Sequence, residues 1–136
     1  MTTKITSTEY IDFVKSVTSK PSCDAEVLIE RIRELEGDGV KLTHLLTFAL
    51  GMIGELGETV DLIKKVVFQS REMTQDVKDK LCKEASDVAF YFAQFCIAMD
   101  VDFEDIMQIN FDKLSARYPE GHFSVHRSEN RRSGDV

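Results

Sequence analysis

The chain has 136 residues, 43% of them hydrophobic, and carries 17 basic against 24 acidic side chains for a net charge of −7. That length suits one domain, spanning 1–136, whose core needs no disulfide or structural metal. The excess of acids opposes binding to a nucleic-acid polymer, which depends on neutralising phosphates, yet it leaves room for a small phosphorylated ligand that arrives with divalent cations. No apolar run reaches the ~20 residues of a membrane span, the N-terminus lacks a secretory pattern, and the three cysteines show no paired spacing. A cytoplasmic protein with reduced thiols is expected.

The first helix is announced by Thr6-Ser7-Thr8-Glu9, which has capping-box spacing, and by the apolar face Tyr10, Phe13, Val14 and Val17. Lys20-Pro21-Ser22 is expected to stop it. A second helix is predicted over about 24–35, with Val27, Leu28, Ile32 and Leu35 inward, ending at Gly37-Asp38-Gly39. A long third helix over about 41–68 follows, and Thr74 caps a fourth that reaches about residue 99. Asp100-Val101-Asp102 makes a tight connection into a fifth helix, closed by Pro119 and Gly121. The polar, Arg-rich end over 122–136 has little to bury and is expected to be mobile or ordered only by ligand. With no period-2 alternation beyond a few residues, the reading is all-α: a bundle of about five helices with a four-helix core. Residues 1–40 supply N-terminal helices, 41–121 a catalytic core and 122–136 a polar tail.

Acidic pairs at i, i+3 stand on the third and fourth helices: Glu55 with Glu58, and Glu84 with Asp87. Members of such a pair project from one face about a turn apart. Two pairs on facing helices supply four carboxylates, a donor set for Mg²⁺ or Mn²⁺. An isolated E-x-x-E is more often a solvated face. For Glu55 and Glu58 that reading has support, since Leu42, Leu46, Ala49, Ile53, Leu56, Val60 and Val67 form an apolar stripe on the opposite side. Glu84 differs, because it stands in a stripe with Val77, Leu81, Val88, Tyr91 and Phe95. An acid set there demands a cation or a basic side chain opposite.

Gly51, Gly54 and Gly57 recur at steps of three on the third helix, each costing about 1 kcal/mol relative to Ala. Close helix packing or close approach of a ligand would explain them. On the fifth helix Asn110, Lys113 and Arg117 continue the seam begun by Phe103, Ile106 and Met107, so that its second half turns polar and basic. Such cations suit the phosphates of a metal–triphosphate complex. Lys64 and Lys65 stand two turns past Glu58, with Lys65 better aligned with it.

Gly54-Glu55-Leu56-Gly57-Glu58, followed by Asp61-Leu62-Ile63-Lys64-Lys65, resembles the first signature of the MazG-type all-α nucleoside triphosphate pyrophosphohydrolases. The E-x-x-E motif is followed after 25 residues by Glu84-Ala85-Ser86-Asp87, as in that family's E-x-x-D, although the flanking residues depart from the usual E-L-G-D. The segment from Asn110 to Pro119 is similar to the third signature, N-x-x-K-L-x-x-R-Y-P. The resemblance runs from about His44 to Phe123. It implies Mg²⁺-dependent (or Mn²⁺-dependent) hydrolysis of a (deoxy)nucleoside triphosphate between its α- and β-phosphates, giving the monophosphate and pyrophosphate. It implies Glu55, Glu58, Glu84 and Asp87 as catalytic metal ligands, and Asn110, Lys113, Arg117 and Tyr118 as phosphate or sugar contacts, with Lys65 able to reach the same anion. His44 is a candidate for the base, against the alternative of a capping or core histidine. A homodimer or homotetramer is implied as well. Two other readings stand beside this one: a dUTP- or phosphoribosyl-ATP-specific relative, and a non-enzymatic helical interaction module in which the acids form an ion-pair network.

Overall fold

Local capping chemistry fixes most helix boundaries. The computed structural model describes residues 4–130. Among these are seven helices and no strand: α1 (Ser7–Val17), α2 (Lys20–Cys23), α3 (Ala25–Gly37), α4 (Leu42–Phe68), α5 (Gln75–Met99), α6 (Phe103–Arg117) and α7 (Val125–Glu129). At α1 the Glu9 backbone N–H donates to Thr6 Oγ1 at 3.2 Å, and the Thr6 backbone N–H donates to Glu9 Oε2 at 2.8 Å, a reciprocal cap. Asp24 accepts from the backbone N–H groups of Glu26 and Val27 to start α3. Thr74 does the same for Val77 at the head of α5. Asp100 ends α5 in the left-handed region, φ 55°, a conformation that short polar side chains tolerate. The Asp105 carboxylate then accepts from the Asp102 backbone N–H to open α6.

Two boundaries differ from the sequence reading. Pro21 does follow the end of α1, but it also opens a helical turn, α2, where it stands near the N-terminus and its missing N–H costs nothing. Of the polar end, residues 131–136 lie outside the described residues, and residues 122–130 hold a further short helix, α7. Ser124 caps it by accepting from the Arg127 N–H, the Arg127 guanidinium pairs with Glu120 at 2.6 Å, and the Tyr118 and Phe123 rings meet at 5.8 Å. Local polar contacts and one ring pair, rather than a core, hold this stretch.

The chain divides into two compact units, one ending at Leu42 and the other beginning at Thr43. In the first, α2 packs on α3, and Val27, Ile32 and Leu35 are half-buried as an inward face would be, whereas Leu28, expected on the same face, is exposed. The second holds most of α4 with α5, α6 and α7. Here α4 and α5 form an antiparallel hairpin across the loop 69–74. His44 Nδ1 and Gln94 Oε1 lie 2.7 Å apart, the Phe48 ring lies 5.1 Å from that of Phe95, and Gly51 faces Tyr91. That order sets the register and carries it on to Glu55 opposite Asp87. Val77, near the loop, is the one fully buried side chain among the described residues.

The apolar stripe of α4, expected to form the core side, faces outward instead. Ile53 is 70% exposed and Val60 and Val67 are each 61% exposed. The side turned to α5 carries His44, Phe48, Gly51 and Glu55. Periodicity shows that a stripe is apolar without showing what covers it.

Candidate metal centre

The hairpin register brings Glu55 of the first acidic pair to the level of Glu84 and Asp87, the second pair. Glu55, Glu84 and Asp87 each offer a carboxylate oxygen, and these atoms all lie within 4.8 Å of one another. Glu55 and Glu84 are half-buried and Asp87 is exposed. Glu58, one turn along α4, is exposed and stands outside this group of three. It borders an adjoining cleft together with Glu84.

The electrostatics of the cluster favour a cation. Partial withdrawal from water raises the pKa of Glu55 above its ordinary value, and the like charges of Asp87, Glu58 and Glu84 raise it further, as does a hydrogen bond with Glu84. The sequence left open whether Glu84 is met by a cation or by a basic side chain. Among the described residues no ion pair joins Glu84 to a lysine or arginine, and its neighbours are the acids Glu55 and Asp87. Three converging carboxylates without His or Cys make an oxygen-only donor set. That set fits a hard divalent cation of the Mg²⁺ or Mn²⁺ kind and does not fit a soft metal.

Toward the α4–α5 loop the carboxylates give way to a cleft of about 400 Å³, bordered by Gly54, Gly57, Glu58, Asp61, Leu62, Lys65, Lys80 and Glu84. Its volume equals roughly a dozen waters at ~30 Å³ each, ample for a hydrated anion. Lys64 and Lys65 both hold Asp61 at 2.5 Å. Their hydrogen bonds, Lys64 first, bring the Asp61 carboxyl down to about 2. Lys80 is held by Asp76 at 2.8 Å.

The three glycines divide by role. A Cβ on Gly51 would lie 2.0 Å from Tyr91 Cε1, so this glycine permits close packing of α4 on α5. A Cβ on Gly54 or Gly57 would meet nothing within 4 Å, and these two leave the cleft open.

The remaining candidates are dispersed. His44 is half-buried and engaged with Gln94, so it ties the two helices together. Asn110 borders an apolar groove between α5 and α6, formed with Ala85, Val88, Phe92, Phe103 and Phe111 among others. That places it near the residue next to Glu84 in the chain, though not at the cleft. Lys113 is exposed, Arg117 is half-buried, and the Tyr118 ring meets that of Phe123 at a tilt of 45°. None of these four residues borders the cleft beside the carboxylates. Sequence reasoning missed Asp61 and Lys80 as members of the cleft. The signal was present for Asp61, which continues the i+3 steps of Glu55 and Glu58, but Lys80 depends on the register of another helix.

Among the described residues no helix is long and apolar enough to cross a membrane. No solved structure matches the chain. It is 33% identical over 86 residues to the Gene 37 protein of Mycobacterium phage L5, an overlap covering 62% of this chain and 75% of the phage protein. The model of the MazG nucleotide pyrophosphohydrolase domain matches residues 43–122. That span holds α5, α6, all but the first residue of α4 and every carboxylate of the candidate centre. The chain belongs to the MazG nucleotide pyrophosphohydrolase family.

Proposed function

We propose that the chain hydrolyses (deoxy)nucleoside triphosphates between the α- and β-phosphates in a Mg²⁺-dependent reaction, releasing the nucleoside monophosphate and pyrophosphate. The observation that carries this reading is the convergence of Glu55, Glu84 and Asp87 within a MazG domain. Glu58, at the edge of the cleft, joins them as the fourth carboxylate. Mn²⁺ suits the same oxygen donors. When bound, a divalent cation neutralises phosphate oxygens and acidifies a water.

The chain's own contribution is positional and electrostatic. Glu55, Glu84 and Asp87 concentrate negative charge where the cation is held, and Glu58 offers a carboxylate at the mouth of the cleft as a proton acceptor. Gly54 and Gly57 keep side chains away from the path of the phosphates. Lys65 supplies a positive charge one turn beyond Asp61. Asn110, Lys113, Arg117 and Tyr118 are assigned to phosphate and sugar on the strength of the N-x-x-K-L-x-x-R-Y-P motif. His44, bonded to Gln94, ties α4 to α5 and lies outside the cleft lining, so a contact with the base is the one role left to it in binding. No cysteine or serine is required as a nucleophile.

The outward stripe of α4 is assigned to a second copy of the chain. Leu46, Leu50, Ile53, Val60 and Val67 repeat at steps of three, four and seven, and every one is at least 43% exposed. Two α4–α5 hairpins joined along this face would make the four-helix core of a homodimer, or half of a homotetramer. Residues 1–136 are taken as one working domain in the cytoplasm.

Purified protein and a panel of canonical and deoxy triphosphates test the reading. Pyrophosphate release that requires Mg²⁺ and falls at least a hundredfold in Glu84→Gln and Asp87→Asn is expected. Full activity in both variants would remove the carboxylate centre from the mechanism.

A further inference from the structure

Charge along the α4–α5 cleft is arranged with a direction. Its inner end is bordered by Glu84, through which it adjoins the cluster with Glu55 and Asp87. Its outer end, toward the loop 69–74, carries Lys65 from α4 and Lys80 from α5 on opposite walls. Asp61 and Glu58 lie between, and Gly54 and Gly57 leave the floor free of side chains. A polyphosphate lying in this cleft meets carboxylates at one end and ammonium groups at the other. Without a cation, only the outer end attracts it.

Both lysines are already held by acids, Lys65 by Asp61 and Lys80 by Asp76. These are exposed pairs: the Lys80 and Asp76 side chains are 47% and 66% exposed. Pairs of that kind contribute little in water. A phosphate offers more acceptor oxygens and more charge than one carboxylate, so exchange of partner favours the phosphate. Lys65 and Lys80 thus behave as cations in reserve.

We propose that Lys80, acting with Lys65, forms a subsite for the pyrophosphate end of the substrate. The terminal phosphates lie between the two ammonium groups, and the bond to be cleaved lies nearer the carboxylates. This rests on the triphosphate reading given above. It assigns Lys80 a role outside the E-x-x-E, E-x-x-D and N-x-x-K-L-x-x-R-Y-P motifs. It also fixes the polarity of the bound substrate, because the leaving pyrophosphate faces the α4–α5 loop.

Calorimetric titration of Mg²⁺-pyrophosphate, and separately of a Mg²⁺-nucleoside monophosphate, into the full chain tests the assignment without requiring turnover. Lys80→Gln should weaken pyrophosphate binding about tenfold, the scale of one lost charge-assisted contact, while monophosphate binding stays within twofold. Asp76→Asn, which frees Lys80, should tighten pyrophosphate binding two- to threefold, an effect no purely structural role of Lys80 would produce. Lys78→Gln, which alters an exposed lysine of the same helix outside the cleft, should leave it unchanged. Equal affinities in wild type and Lys80→Gln would overturn the subsite, as would equal losses in Lys78→Gln and Lys80→Gln, or no pyrophosphate binding by the wild type. Lys80-dependent binding without hydrolysis of any triphosphate would keep the subsite and overturn the proposed reaction. Hydrolysis by the wild type with pyrophosphate affinity unchanged in Lys80→Gln would do the reverse.

Discussion

Replacing Gly51, Gly54 and Gly57 by alanine, one at a time, separates packing from ligand access on a single helix face. Alanine in place of glycine in a helix interior gains about 1 kcal/mol of propensity. At Gly54 and Gly57 the new methyl meets nothing within 4 Å, so the whole gain should appear, raising Tm by about 3 °C for a chain of this size. At Gly51 the methyl would sit 2.0 Å from Tyr91 Cε1 and 2.3 Å from Cδ1, against an optimal carbon contact of about 3.5–4.0 Å. The Tyr91 ring must swing or the helices must part. Overpacking of this kind costs about 1–3 kcal/mol, which outweighs the propensity gain and leaves Gly51→Ala destabilised by about 1 kcal/mol. Thermal melts with urea titration read the sign directly. The same three proteins should differ in function, with KM for triphosphate rising severalfold in Gly54→Ala and Gly57→Ala although both fold more stably. Loss of stability at all three positions, or a gain at Gly51, would refute the division of roles.

Three further outcomes follow from the charge distribution and the exposed stripe. Without metal, Glu55→Gln should raise Tm by relieving like-charge repulsion. It should also remove most of the Mg²⁺-induced stabilisation, which in wild type reaches about 2.7 kcal/mol at a hundredfold excess over Kd; differential scanning fluorimetry reads both. The raised pKa of Glu55 makes its ionised form unfavourable in the folded state, so the metal-free protein loses this stability as pH rises from 4.5 through the raised value. Mg²⁺ stabilisation fades as pH falls through the same window. Asp61 has the opposite sign: its contribution is present above 3.8 and is lost as pH falls toward about 2, so melts of Asp61→Asn should part from wild type above pH 3.8 and converge below it. If the exposed α4 stripe joins two copies as proposed, Ile53→Lys in its middle should lower the mass in light scattering to that of a monomer, and an unchanged oligomeric mass would move the interface elsewhere.

Helix positions were legible because their signals are local. Thr6 with Glu9, Asp24, Thr74 and Asp102 are read within three or four residues, and each marks a helix start in the structure. The E-x-x-E and E-x-x-D spacings were legible for the same reason, since a helix puts i and i+3 on one face whatever surrounds it. Features that depend on another helix were not. Gly51 and Gly54 look alike in sequence, and only the Tyr91 ring, forty positions away, separates them. Lys80 becomes part of the cleft through the register that sets α5 against Gly54 and Gly57. The α4 stripe was expected inside, because an apolar face shows the need for cover without naming the surface that supplies it. Pro21 was read as a stop although proline also suits a helix start, and α7 rests on a Ser cap and one Arg–Glu pair too short to leave a hydrophobic pattern.

Phosphorus NMR of a triphosphate incubated with the chain, with and without Mg²⁺, tests the central claim most directly because it identifies the bond that breaks. Paired resonances of nucleoside monophosphate and pyrophosphate, growing at equal rates, are expected only with the divalent cation and not in Asp87→Asn. Nucleoside diphosphate and orthophosphate as products, or monophosphate and pyrophosphate formed equally well without the cation, would contradict it.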